Sequence, residues 1–151
     1  MECIEPAYGS FLSLSSFSSF TTAKAIPYDT TTTAQGIRLG IPGSRVVIQD
    51  KGKYVLNYSI QFDKPSGAAA NIFIYIKVNG VSVPNSSSQV AIQGSTAEIF
   101  PFCEYILDLN AGDYVEVFVY SSDATVTATF MQSTINYPAV PSIITNVYRI
   151  G

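Results

Sequence analysis

Serine and threonine hydroxyls are the most abundant nucleophilic groups in this sequence, and they crowd into the stretch SSFSSFTTAKAIPYDTTTTAQG (15–36). A hydroxyl is a weak nucleophile until a neighbouring base takes its proton. The 151 residues contain no histidine, which is the commonest general base and the partner of serine or cysteine in nucleophile pairs. The sequence therefore predicts that the protein is not an enzyme, and it indicates no cofactor.

Two cysteines, Cys3 and Cys103, are the other reactive side chains, and they form no CxxC pair. Cys103 occurs in an apolar alternating run, so we expect it to pack as a small hydrophobic side chain. A Cys3–Cys103 disulfide is the alternative. Because histidine is also the commonest metal ligand, the sequence predicts no metal centre.

Charged residues make up only 13% of the chain, about half of the ~25% found in average soluble proteins. The formal net charge is −3, and the eight basic residues are scattered singly. Without a basic stripe to neutralise phosphates, we expect no binding to nucleic acid. Low charge also weakens the repulsion between copies, which favours a role inside an assembly.

Neither a membrane span nor a signal peptide is predicted. No run approaches the ~20 apolar residues that a spanning helix needs. The triplet AKA (23–25) resembles a signal-peptide cleavage site, but Glu2 and Glu5 precede it, and no lysine or arginine does. The apolar stretch between them is diluted with serine, which argues against export by this route.

Short alternating runs of apolar and polar residues recur along the chain between Gly, Pro, Asn and Asp, with no helical period. The clearest runs are 54–62 and 72–78, and Asn79-Gly80 after the second is a strong hairpin signal. We expect about eight to ten strands in an all-β antiparallel jelly-roll sandwich of two packed sheets. Residues 1–35 are predicted to supply an N-terminal strand and a Ser/Thr-rich arm of this domain, and 36–151 the jelly-roll core.

The stretch LDLNAGDYVEVFVY (107–120) is predicted to form a hairpin whose second strand carries aromatic rings on its outer face. If that strand neighbours 72–78, four rings form one patch outside the core. Such a patch marks a partner surface, so we predict an interface with a second copy or a neighbouring protein, formed by Phe73, Tyr75, Tyr114, Phe118 and Tyr120. Cover by the N-terminal arm and a ligand platform are the alternatives.

Several motifs carry a resemblance when their order is considered together: YGSF (8–11), GKYVLNYSIQF (52–62), NGVSVPNS (79–86), LNAGDYVE (109–116) and PAVPS (138–142). The chain resembles the jelly rolls of tumour necrosis factor and of the complement globular head. It is most similar to single-domain virion proteins of large DNA viruses and tailed bacteriophages. The resemblance covers almost the whole chain. The long arm before Gly36 and the lack of a collagen-like stalk depart from it.

The resemblance implies an eight-stranded jelly roll that forms compact trimers, with one sheet facing the three-fold axis and no catalytic site. It further implies a structural component of a virus particle, such as a decoration, vertex or fibre-head protein. Its partners would be copies of itself, as a homotrimer or larger ring, and other capsid proteins, and its location would be the virion. The arm would anchor it to the layer beneath.

Two other functions stay open alongside the capsid role. A receptor- or glycan-binding head on the virion would use the outer loops KPSGAAAN (64–71) and VPNSSSQ (83–89). A secreted cytokine-like ligand is disfavoured by the missing export signal. Relatives of the fold sometimes bind calcium, which makes Asp108, Asp113 and Glu116 a metal alternative, although strand alternation sends these carboxylates to different places.

Overall fold

The computed structural model of the chain describes residues 3–151, and these contain fifteen β-strands and no helix. In chain order the strands are β1 (Tyr8–Ser13), β2 (Lys24–Ala25), β3 (Thr30–Gln35), β4 (Ile37–Leu39), β5 (Val46–Ile48), β6 (Gly52–Ile60), β7 (Phe62–Lys64), β8 (Ala70–Val78), β9 (Val81–Ser82), β10 (Ser88–Ile92), β11 (Ala97–Ile99), β12 (Phe102–Leu109), β13 (Tyr114–Ser121), β14 (Thr127–Ala128) and β15 (Ile143–Arg149). The all-β class is confirmed. The expected count of eight to ten falls short because seven strands have only two or three residues. Over the described part of the chain, no helix could span a membrane.

Antiparallel pairing joins these strands into three sheets. The five-stranded sheet has the order β12-β6-β15-β1-β3. The seven-stranded sheet has the order β10-β8-β13-β5-β4, with β2 beside β13 and β9 beside β8. A small third sheet, β11-β7-β14, was not expected. It forms because the chain continues past β6 into β7, which pairs with two short strands instead of with either large sheet.

The core lies between the two large sheets and is built by alternation along the long strands. On β6 the inner residues are Tyr54, Leu56, Tyr58 and Ile60, which are all buried. From the other layer, Ile72, Ile74 and Ile76 of β8 lie beside Val115, Val117 and Val119 of β13. Each such side chain contributes roughly 1.5–3 kcal/mol through burial, so these rows provide much of the stability of the sandwich.

The turn between β12 and β13 carries the chain from one sheet to the other, so the hairpin predicted for 107–120 is wrong. β12 pairs with β6, whereas β13 pairs with β8, β5 and β2. The Gly112 amide donates to the carbonyl of Ile48 at 2.8 Å, and the Asn110 amide donates to the Asp113 carboxylate at 2.8 Å. Turn residues such as Gly, Asn and Asp favour a turn whether the chain returns to the same sheet or crosses to the other one. The sequence of the turn therefore does not distinguish the two cases.

The Ser/Thr-rich arm is packed into the domain. Phe20 and Ile26 are fully buried, and Tyr28 is buried with its hydroxyl 2.6 Å from that of Thr145. Lys24 and Ala25 lie beside Val119 and Phe118 in the plane of the seven-stranded sheet. The arm therefore adds a short strand beside β13, and its buried Phe20, Ile26 and Tyr28 are not free to anchor to another layer.

Candidate assembly surfaces

The outer face of the seven-stranded sheet carries the four predicted rings as neighbours. β8 and β13 pair so that Tyr75 lies opposite Phe118, and Phe73 opposite Tyr120. The ring centroids are 5.7 Å apart in the first pair and 6.1 Å in the second, within the range of favourable aromatic contacts. We call these four side chains the ring patch. All four are half-buried.

Tyr114, the fifth predicted interface residue, lies farther along the same face of β13. Its ring packs under the Arg45 guanidinium, whose Cζ is 4.2 Å from the ring centroid. Glu116 separates it from Phe118 and accepts a hydrogen bond of 2.6 Å from the Ser44 hydroxyl. Tyr114 is therefore on the predicted face but outside the ring patch.

The three carboxylates considered for calcium lie in three separate contacts. Asp108 pairs with Lys53 at 2.7 Å, and Asp113 accepts from the Asn79 amide at 2.8 Å. Glu116 binds Ser44, as described above. Across residues 3–151, no group of three potential metal-ligating side chains of the Cys, Asp and Glu types was found.

Both cysteines are free, so the alternative of a Cys3–Cys103 disulfide is wrong. Cys3 is exposed before β1, and Cys103 is half-buried. The Cys103 sulfur packs with the core edge and lies 3.8 Å from the Ser88 hydroxyl. Its contacts fit the prediction of a small packed side chain.

The outer face of the five-stranded sheet carries a larger set of uncovered apolar side chains, which the sequence analysis did not identify. Ile106 of the edge strand β12 is 65% exposed, and Phe102 on the same strand is 62% exposed. Ile106 lies opposite Val55, and Val55 lies opposite Tyr148. Tyr148 in turn lies opposite Tyr8. One apolar row therefore crosses four strands.

A second apolar row runs parallel to the first, and a polar row separates them. On successive strands the second row consists of Phe102, Ser59, Ile144 and Leu12, so it is apolar except for Ser59. Between the two rows, the Asn57 side chain accepts from Asn146 at 3.0 Å and donates to Glu104 at 3.4 Å. We call this set of three rows the striped face. Its polar groups bond to one another, which lowers the cost of covering them.

Lys64 is a fully buried cation at one end of the sandwich. Its ammonium lies 2.6 Å from the Asp123 carboxylate. It also donates to the Ser66 carbonyl at 2.6 Å and to the Thr125 hydroxyl at 2.8 Å. Through these contacts one side chain ties the loop after β7 to the loop after β13. The Lys64 ammonium and Thr125 hold the pKa of Asp123 down at about 2.

Ser86 also joins separate elements, at the other end of the ring patch. Its buried hydroxyl accepts from the Ile76 amide of β8 at 3.2 Å. Its carbonyl accepts from the Tyr105 hydroxyl at 2.6 Å. Burial raises the pKa of Tyr105 to about 12, so this hydroxyl keeps its proton at neutral pH. The 83–89 loop is thus fixed to both sheets.

Comparison with known proteins gives a fold and no family. No family model matches the chain, and no curated protein matches it. Among solved structures, murine APRIL at pH 8.5 superposes with a TM-score of 0.63 at 11% identity, covering 97% of this chain and 100% of that one. The globular domain of zebrafish complement 1qA protein gives 0.61 at 10% identity, covering 97% and 98%.

These likenesses extend over nearly the full length of both chains, so they concern the whole sandwich and not one motif. The expected resemblance to the tumour necrosis factor and complement-head fold is confirmed at the level of architecture. The protein has a tumour necrosis factor-like, antiparallel jelly-roll fold.

Proposed function

We propose that this chain is a structural jelly-roll subunit that associates with copies of itself, as a homotrimer, on a virus particle. The observation that carries the self-association is the striped face, where Tyr8, Phe102, Ile106 and Tyr148 lie exposed on the five-stranded sheet. Single exposed apolar side chains are common, but rows that cross four strands usually mark a partner surface. We infer the location on a virus particle from the resemblance of the sequence motifs to virion proteins.

The striped face supports self-association better than the ring patch does. The family resemblance implies that one sheet faces the three-fold axis. On the five-stranded sheet, Tyr8, Phe102, Ile106 and Tyr148 are each at least 38% exposed. The rings on the other sheet contact each other in one stacked and one tilted pair, and they are half-buried. A subunit contact therefore removes more apolar surface from water at the striped face.

A role in binding and assembly accounts for the polar side chains better than catalysis does. Glu104, Asp113 and Glu116 each accept a hydrogen bond from an amide or hydroxyl group of the protein. The Ser44–Glu116 contact does join a hydroxyl to a carboxylate, but both side chains are buried. The three contacts do not form the exposed set of nucleophile, base and oxyanion donors that acyl or phosphoryl transfer needs. We infer that the chain contributes shape and contact surface.

Light scattering of the purified protein tests the self-association. Wild type is expected at three times the 16.3 kDa of one chain. Ile106→Lys should yield monomer, because it places a charge at a 65% exposed position of the apolar row. Val81→Lys is the matched control, since Val81 is similarly exposed but belongs to the other sheet. Phe118→Asp should leave the trimer intact. If this variant is a monomer instead, the subunit contact is formed by the ring patch.

Peptide mass spectrometry of purified particles, with labelled antibody imaging, tests the virion assignment. The chain is expected in particles at a constant ratio to the major shell protein, and on their outer surface. Its absence from particles that assemble normally would contradict the assignment. A monomer that joins only other shell proteins would favour a cement role and exclude the free homotrimer.

A further inference from the structure

The ring patch lies between two grooves, and the two loops that the sequence offered for glycan recognition form their walls. The first, here called the alanine groove, has a volume of about 560 Å³ and is lined by Ala69, Asn71, Ala91, Ser122, Asp123 and Thr125. The second, the serine groove, has about 300 Å³ and is lined by Tyr75, Ser82, Val83, Asn85, Ser86 and Ser87. Loops far apart in sequence therefore meet on one face.

Strand register makes the grooves and rings one continuous surface. Asn71, Phe73 and Tyr75 occupy alternate positions of β8, so their side chains point to the same side. Asn71 and Tyr75 are four residues apart, or roughly 14 Å along an extended strand. A ligand lying along β8 would contact the alanine groove, then the rings, then the serine groove.

Buried polar side chains hold the walls of both grooves in place. Lys64 binds Asp123 and Thr125 of the alanine groove, and the Ser121 hydroxyl donates to the Asn71 carbonyl at 2.8 Å. Ser86 fixes the serine groove from below, where it bonds to Ile76. A site that is rigid before binding loses less entropy when its ligand arrives.

We propose that this face binds an uncharged oligosaccharide along β8. Rings in the centre suit the apolar C–H faces of sugars, and hydroxyl and amide groups at both ends suit their hydroxyls. Tyrosine, serine and asparagine together give rigid apolar contact and adaptable hydrogen bonding.

The charges on this face favour a neutral ligand. Lys77 is engaged over the Phe118 ring, its ammonium 4.1 Å from the centroid, and Asp123 is paired with Lys64. Phosphate and sulfate ligands require a cluster of cations. Among residues 3–151, the cations on this face, Arg45 and Lys77, lie singly over separate rings. An acidic ligand would also meet the carboxylate at the mouth of the alanine groove.

The test uses the full-length protein on a printed array of neutral and sialylated oligosaccharides, followed by calorimetry with the soluble form of the strongest neutral hit. Tyr75→Ala and Asn71→Ala should each weaken binding at least about tenfold, which equals ~1.4 kcal/mol. Tyr137→Ala, which removes the same ring type from an exposed position between β14 and β15, should leave the sugar affinity unchanged.

Three results would overturn the proposal: no hit for folded protein, hits that are exclusively acidic, or affinities that Tyr75→Ala and Asn71→Ala leave unchanged. Scattering is measured on the same samples. If Tyr75→Ala changes the oligomer mass, the rings hold a second copy and the saccharide proposal fails. Calorimetry detects binding to a single site and does not depend on several linked sites. A monomeric protein that still binds sugar would therefore contradict the proposed trimer and leave the saccharide proposal standing.

Discussion

At the scale of single residues, the two members of the Lys64–Asp123 ion pair differ in burial, so removing one should cost more stability than removing the other. The lysine side chain is fully buried, whereas that of Asp123 is 27% exposed. Lys64→Met should cost about 1–3 kcal/mol, because Ser66 and Thr125 lose a donor while Asp123 can turn to water. Asp123→Asn should lower the urea midpoint further, since it leaves a buried ammonium without a counter-ion. A smaller effect for Asp123→Asn than for Lys64→Met would contradict this account.

The same ion pair predicts how stability responds to acid. The folded-state pKa of Asp123 is about 2, below its usual 3.8. A depressed carboxyl pKa stabilises the fold above the unfolded value and loses that contribution as pH falls through the folded value. Wild type should therefore lose stability between about pH 4 and pH 2. Urea unfolding across this window should show a shallower decline for Asp123→Asn, and identical slopes would show that Asp123 is not responsible.

Residues of this kind lie beyond what the sequence could predict. Lys64 is the last residue of β7 and begins the sequence KPSGAAAN, where a lysine normally marks solvent exposure. Its partner Asp123 follows a different strand, and no local pattern links the two. Tyr8 and Tyr148 are likewise paired by β1 and β15 at opposite ends of the chain. Burial and pairing between distant segments arise from the fold, so a single sequence shows neither.

At the scale of elements, the arm behaves as part of the core. Phe20 is fully buried, and its ring packs edge-on against Phe62 at 6.4 Å. Phe20→Ala should cost about 3–5 kcal/mol through lost burial and the cavity that remains. Thr21→Ala, at an exposed neighbouring position, is the control and should change the unfolding free energy by less than about 0.5 kcal/mol. Equal effects would mean that the arm detaches readily from the domain.

Alternation predicted the long strands well, because it is a local signal of one buried face. The runs 54–62 and 72–78 lie in β6–β7 and β8, and alternate apolar residues from Tyr54 to Phe62 and from Ile72 to Ile76 are buried. The hairpin at 107–120 failed because adjacent strands can belong to different sheets. The striped face was missed for a related reason: on β12, Phe102 and Ile106 alternate with Glu104 and Asp108 along one side. Only pairing with β6, β15 and β1 turns them into rows.

At the scale of the whole molecule, sparse charge should make the assembly insensitive to salt. The charged residues of the striped face are Glu104 and, at its rim, the Lys53–Asp108 pair, so apolar burial must supply most of the contact energy. Raising NaCl from 0.1 M to 1 M shortens the screening length from ~10 Å to ~3 Å. The net negative charge of the face then repels less, and the trimer should tighten slightly. Sedimentation over a dilution series at both salt concentrations measures this. Glu104→Gln should reproduce the tightening at low salt, and dissociation of wild type at 1 M would show that ion pairs between subunits hold the assembly.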